Sequence, residues 1–223
     1  MPPLNVLVVA EERLSAAYWL TALEGLNSIG SSYQVTFRTS EQVIGADLSE
    51  YDVVCLLDVA NPPTEVWREL TTFTRNGGGV LICLGAPSSV AAGNLRRTIN
   101  PVAYGASEAQ ELLPVRLKAS LKFSSPQHLD FRSRPHPLSQ RLEALGVLAE
   151  LGNVDFRWRW VVEPNEGAVE LAKWTDDNGE PAWIYRDVGR GRCLVFTSSV
   201  DSGSWSDWRG TWTYLVVAGQ KLP

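Results

Sequence analysis

A chain of 223 residues with 44% hydrophobic content can bury a sizeable core, and it reads as a single domain over residues 1–223. With 25 acidic against 20 basic side chains the formal net charge is -5, which leaves no basic footprint for nucleic acid; Arg132, Arg134 and Arg141 read as solvated surface. No apolar run approaches the roughly 18 residues needed to cross a bilayer, and Met1-Pro2-Pro3-Leu4-Asn5 lacks the charged and apolar regions of a signal peptide, so a cytoplasmic protein is expected.

Leu4 to Ala10 is a continuous apolar run of strand length. Leu14, Ala17, Tyr18, Leu20, Leu23 and Leu26 then recur near the helical period, so a helix follows the strand. Tyr33 to Thr39 alternates, and Tyr51 to Val59 is again continuous and rich in β-branched residues, the pattern of a strand covered on both faces. Asn61-Pro62-Pro63-Thr64 supplies a stop and a helix start, and Val66, Trp67, Leu70 and Phe73 space an amphipathic helix that ends at Gly77. Gly77-Gly78-Gly79 turns the chain into the next strand, Val80 to Leu84. These glycines precede a strand instead of opening a helix, so they lack the aligned N–H groups of a phosphate loop. Strands separated by helices or helix-length connections predict parallel pairing with right-handed crossovers.

After Gly85 the pattern changes. Residues 86–100 are small and polar, with no helical pattern, and Leu112 to Phe123 alternates like a half-exposed strand. Val154 to Val162, Ala168 to Thr175, Ala182 to Val188 and Arg192 to Ser198 are strand-like, with hairpin turns at Asp176-Asp177-Asn178-Gly179 and Gly189-Arg190-Gly191. These predict an antiparallel meander, within a β-rich extension over about residues 112–188. Trp208 to Val217 is aromatic and apolar at helical spacing and is expected to pack as a last helix over the sheet.

The three cysteines, Cys55, Cys83 and Cys193, match neither a zinc pattern nor a disulfide framework. Cys55 and Cys193 read as small buried apolar residues. Cys83 stands where a doubly wound α/β enzyme carries its nucleophile, but a cysteine nucleophile needs a general base, and the only histidines are His128 and His136. Proline-flanked His136 reads as a loop pin before a short helix from Leu138 to Leu145. His128 and Asp130 are two ligands without a third, so neither a metal nor a cofactor is expected. Asp58 ends its strand at the edge where open α/β sheets bind ligands, although an Asp there also caps a loop. Together with the Gly85 to Ser89 and Ser198 to Asp201 loops it would line a pocket whose candidates are Asp58, Ser88, Ser199 and Asp201. Of nine tryptophans, Trp158 and Trp160 share a strand face and Trp205, Trp208 and Trp212 share a helical face. Packing is the ordinary explanation; exposed, the last three would form an interaction surface.

The segment order, together with Asp47-Leu48-Ser49-Glu50-Tyr51-Asp52-Val53-Val54, Arg75-Asn76-Gly77-Gly78-Gly79 and Gly189-Arg190-Gly191-Arg192 running through Asp201 to Trp205, resembles the class I glutamine amidotransferase-like superfamily. The likeness covers about residues 4–218 and is strongest to the ThuA-like branch and to related domains of BatA-like bacterial membrane proteins. It implies a three-layer, flavodoxin-like parallel sheet with the antiparallel extension. Amidotransferases carry their nucleophile in a Gly-x-Cys-x-Gly elbow, whereas the matching five here are Leu81-Ile82-Cys83-Leu84-Gly85 and Pro87 stands where the family carries Gln. Counted from the glycine turn, Leu84 instead occupies the elbow. The family's late His-x-Glu is replaced by Thr197-Ser198-Ser199-Val200-Asp201-Ser202. The resemblance therefore implies a retained fold with a dismantled site: a non-catalytic interaction or structural module, cut from or acting beside a larger membrane-associated assembly, possible as a homo-oligomer. The alternative is a ThuA-like enzyme or binding protein for a carbohydrate-derived small molecule.

Overall fold

The computed structural model describes residues 3–28, 33–85, 99–131, 136–144, 148, 152–176 and 178–200. Strands β1 (Leu4–Val9), β2 (Tyr33–Arg38), β3 (Val53–Leu57) and β4 (Gly79–Cys83) alternate with helices α1 (Ala17–Ser28) and α2 (Thr64–Arg75). Short helices α3 (Pro101–Gly105) and α4 (Ser107–Leu112) precede β5 (Val115–Gln127) and β6 (Leu129–Asp130). Helix α5 (Pro137–Ala144) is followed by β7 (Phe156–Pro164), β8 (Val169–Trp174), β9 (Pro181–Val188) and β10 (Gly191–Phe196).

The large sheet runs β2-β1-β3-β4-β10-β9-β8-β6. Its first five strands are parallel, and β10 turns the pairing antiparallel through β9. Alternation along each central strand sends side chains to two separate cores. Val6 and Val8, Cys55 and Leu57, and Leu81 and Cys83 face one core, where α1 supplies Trp19, Leu20 and Leu23. Leu7 and Val9, Val54 and Leu56, and Val80 and Ile82 face the other, where α2 supplies Val66, Trp67, Leu70 and Phe73. Both faces are covered, which is why these strands read as unbroken apolar runs.

Two expectations from the sequence are corrected. Residues after Gly85 do return to helix, at α3 and α4, which span only five and six residues and so show no period. The signal of α3 is instead a cap, the Asn100 side chain accepting from the Val102 N–H with Pro101 at the first helical position, while α4 has no side-chain cap. The late strands are also not one meander. Strand β7 pairs antiparallel with β5 in a separate two-stranded sheet, while β8, β9 and β10 join the large one. Strand periodicity fixes which face a residue occupies and carries no information on which neighbour the strand chooses.

Every tryptophan among the described residues is buried, from Trp19 to Trp183. Trp158 and Trp160 lie on one face of β7 in the α2-side core, as their spacing implies. Trp205, Trp208, Trp212 and the expected helix of residues 208–217 lie outside the described residues.

Candidate functional site

The carboxyl ends of β1, β3, β4 and β10 bring Glu11, Asp58, Gly85 and Ser198 to Val200 to one edge of the sheet. The chain leaves β1 for β2 on one side and reaches β3 on the other, so this edge is the switch point at which open α/β sheets bind ligands. Asp58 has φ 53, the sole positive value at a non-glycine among the described residues. That left-handed conformation costs an L-residue about 1–2 kcal/mol. It is held by the neighbouring strand: the Asp58 N–H donates to the Cys83 carbonyl at 3.1 Å. Gly85 packs directly on it, and a Cβ at Gly85 would stand 3.2 Å from the Asp58 Cα and Cβ.

The surrounding hydrogen bonds are mostly spent on structure. Trp160 Nε1 donates to the Gly85 carbonyl at 2.9 Å, and the Tyr104 hydroxyl donates to the Val59 carbonyl at 2.7 Å. The Ser198 hydroxyl donates to the Trp158 carbonyl at 2.9 Å. Thr197 donates its hydroxyl to the Pro181 carbonyl and accepts from Trp174 Nε1. Ser199 is fully buried. Of the four pocket candidates, the structure places Asp58 and Ser199 at this edge; Ser88 and Asp201 lie outside the described residues.

Cys83 is the last residue of β4, fully buried, and registers against Leu57 on one side and Phe196 on the other. It faces the α1-side core together with Cys55. Burial pushes its thiol well above the ordinary value, and the negative fields of Asp58 and Cys55 push it further. Burial likewise pushes Cys55 and Cys193 up to about 12. A nucleophilic cysteine requires the opposite displacement. Leu84, the other residue the elbow count allows, is also buried, against the opposite core.

Neither histidine contacts Cys83 in the described network. His128 Nδ1 lies 3.2 Å from the Val154 carbonyl and 3.7 Å from an Asp155 carboxylate oxygen. His136 Nε2 lies 3.3 Å from the Tyr185 hydroxyl, and its N–H meets the Ser139 hydroxyl at 3.2 Å. Burial, and then the Arg192 charge, hold the His136 imidazole below its ordinary range. Among the described residues no three His, Cys, Asp or Glu side chains gather as a metal set.

The opposite, amino edge carries two of the glycine motifs noted in the sequence, Gly77 to Gly79 and Gly189 to Gly191. The α2–β4 turn at Gly77 to Gly79 and the β9–β10 hairpin at Gly189 to Gly191 lie against each other: Arg190 N–H donates to the Arg75 carbonyl at 3.1 Å, and Arg190 Nη2 to the Asn76 carbonyl at 2.9 Å. A groove of about 550 Å³ runs along this edge, with Asp52, Asp187, Arg190 and Arg192 on its walls. Its charges are already engaged, since Asp52 accepts the Asn5 N–H at 2.8 Å and Arg192 donates to Asp187 at 2.7 Å while lying 4.3 Å over the Tyr185 ring.

No known family profile matches the chain, and no curated protein matches it in sequence. Solved structures do match it in shape. A cytoplasmic protein from Salmonella typhimurium aligns with TM-score 0.68 at 17% identity, over 97% of this chain and 98% of that one. A ThuA-like protein from Bacteroides uniformis aligns with TM-score 0.59 at 13% identity, over 98% of this chain and 90% of that one. A beta-galactosidase from Bacillus circulans aligns with TM-score 0.60 at 14% identity, over 96% of this chain but only 30% of the enzyme. At such identities the likeness establishes a shared fold: mixed α/β, with a large, mostly parallel sheet and a small antiparallel one. No helix among the described residues is long and apolar enough to cross a membrane.

Proposed function

We propose that this chain is a glutamine amidotransferase-like domain that performs no catalysis at the inherited cysteine and serves as an interaction or structural module, acting in the cytoplasm alone or beside a membrane-associated assembly. The observation that carries the reading is the sealed Cys83, whose thiol burial holds in the neutral form. A thiol that stays protonated is a poor nucleophile, and losing the base costs such an enzyme orders of magnitude in rate. The strand order β2-β1-β3-β4-β10, with α1 and α2 contributing to opposite cores, supports the finer reading of a three-layer, flavodoxin-like sheet. That a beta-galactosidase carries the same fold as under a third of its length supports a module able to work within larger proteins. Ammonia release from glutamine is the direct test. No release above background is expected from the wild type, and release abolished by Cys83→Ser would overturn the reading.

A second reading is favoured by Asp58, a left-handed residue at the sheet's switch point: the edge binds a carbohydrate-derived small molecule, with Asp58, Ser88, Ser199 and Asp201 as its polar lining. The ThuA-like and beta-galactosidase structures that share the fold make sugars the first ligands to try. A ligand that binds only the folded state raises the melting temperature, so a panel of sugars and sugar acids tests this. A rise that persists in an Asp58→Ala variant would locate binding elsewhere.

A further inference from the structure

We propose that the edge of β5 left without a strand partner among the described residues is a docking site for an acidic, extended segment of a partner protein, which adds to the small sheet as a third strand. β5 is 13 residues long, the longest strand described, and lies in a sheet of two. Its inner edge is paired with β7, and β7 is tied to the large sheet by the Trp160 N–H, which donates to the Thr197 carbonyl at 2.7 Å. The outer edge pairs with no strand among the described residues. Among the described residues, the side-chain hydrogen bonds to its backbone lie toward its ends: Gln110 Nε2 donates to the Val115 carbonyl at 3.2 Å and Gln127 of the strand itself to the Ser125 carbonyl at 3.4 Å. From Lys118 to Lys122 every side chain is exposed, including the apolar Leu121 at 39%.

An open edge is a template for pairing, and its charges select the partner. β5 carries Arg116, Lys118 and Lys122 and no acidic residue. In a protein of net charge -5 this is a local basic strip; Glu163 of β7 offsets Lys118, while Arg157 of β7 adds a further exposed cation. A second copy fits poorly. Antiparallel self-pairing centred on Lys118, Ala119 or Ser120 sets cation beside cation, and like charges directly opposite destabilise a ladder. A strand alternating acidic with apolar or β-branched residues meets the cations, and its backbone satisfies the open N–H and C=O groups. This partner deepens the interaction reading and rests on it, yet the two fail separately, because activity at Cys83 would appear in assays holding no peptide.

The test uses the full chain and a capped peptide alternating Glu with Thr or Val, titrated calorimetrically at low and at physiological salt. Binding is expected, with slowed amide hydrogen exchange over residues 116–122. The surface double variant Lys118→Glu, Lys122→Glu should weaken it about tenfold while keeping the wild-type melting temperature. The same peptide N-methylated at every residue keeps every side-chain charge but has no backbone N–H to give on either edge, so it cannot form the ladder and should not bind. Equal binding of the methylated peptide would reduce the site to a charged patch and overturn the proposal. So would no binding at millimolar peptide, or dimerisation of the chain through β5.

Discussion

At the amino edge of the large sheet two glycines are pressed against backbone, whereas at the carboxyl edge one glycine is pressed against a side chain and its Cα. A Cβ on Gly191 would lie 2.2 Å from the Gly78 carbonyl oxygen and 2.3 Å from that of Thr74, and one on Gly189 would lie 2.6 Å from the Arg75 Cα. Both obstacles belong to the end of α2 and its turn, which are themselves fixed by the Gly77 N–H on the Thr74 carbonyl and the Gly78 N–H on the Phe73 carbonyl. At the carboxyl edge the nearest obstacle to a Cβ on Gly85 is Asp58 at 3.2 Å. The first edge is a latch between a hairpin and a helix end, whereas at the second the approach is less severe and falls on Asp58 alone. The glycine motifs of the sequence thus belong to the latch and not to the edge at which open α/β sheets bind ligands.

The largest expected effect tests the latch. Gly191→Ala forces a methyl into two carbonyl oxygens, and overpacking of this kind costs about 3 kcal/mol because the backbone must shift. Urea unfolding measures it. A loss under about 1 kcal/mol would mean that hairpin and helix end do not meet as described.

The next compares thiols placed toward the two edges. Cys193 pairs with Val80 deep in the sheet, Cys83 ends β4 at the crevice, and both are fully buried. Burial raises the Cys193 thiol from its ordinary 9.0 to about 12, so the folded state favours the neutral form. Its contribution to stability is then complete below about pH 9 and is lost as pH rises from there toward 12, by about 1.4 kcal/mol per pH unit. Stability measured between pH 9 and 10 should therefore fall less in Cys193→Ala, by about 1 kcal/mol over that interval, because the unfolded thiol is only half ionised at pH 9. Cys83, raised for the same first reason, should flatten the profile in the same direction when replaced by Ala. Were Cys83 an activated nucleophile its pKa would be depressed, and its replacement would change the slope below pH 9 instead. In the folded protein at pH 8 both cysteines should resist iodoacetamide alike.

The two edges also differ in what the sequence disclosed. Apolar runs gave β1, β3 and β4, and the proline-started amphipathic stretch gave α2, because burial on two faces or on one stripe leaves a period that composition cannot hide. The burial of Cys55 and Cys193 was legible for the same reason. The pairing of β7 with β5 was not, since partner choice is set by loops and long-range packing that leave no local pattern. Helices α3 and α4 were too short for periodicity. Strand position alone put Asp58 at the carboxyl end of β3, where it lies, but its left-handed backbone was not visible, because Asp in that conformation reads like any strand-end Asp. Tyr104 was missed altogether: it reaches Val59 across 45 positions, and only the fold brings them together.

A smaller effect probes how the crevice is braced. Tyr104→Phe removes the 2.7 Å bond to the Val59 carbonyl and should cost about 1 kcal/mol. Trp160→Phe removes the donor to the Gly85 carbonyl and some packing besides, and should cost about 1–2 kcal/mol. Equal melting temperatures for wild type and both variants would show that these bonds do not hold the edge together.

The smallest effect is the most informative about function. Gly85 does not have a positive φ, so alanine is conformationally allowed there. The 3.2 Å approach to Asp58 demands a shift of a few tenths of an ångström, and Asp58 sits half-buried at an edge where such a shift is possible. Replacing Gly also reduces the freedom of the unfolded chain, which stabilises by about 0.4–1 kcal/mol and offsets the crowding. Gly85→Ala should therefore leave stability within about 0.5 kcal/mol of wild type, several-fold less than Gly191→Ala. The added methyl nevertheless sits beside Asp58, at the switch-point edge. If the edge binds a sugar-like ligand, Gly85→Ala should abolish the ligand-induced rise in melting temperature while the unliganded melting temperature stays put. If the domain is a non-catalytic module whose partner docks at β5, the same variant should bind the acidic peptide as the wild type does. One near-silent substitution thus separates the two readings: loss of a sugar response supports the crevice, and retained peptide binding with no sugar response in either protein supports the module.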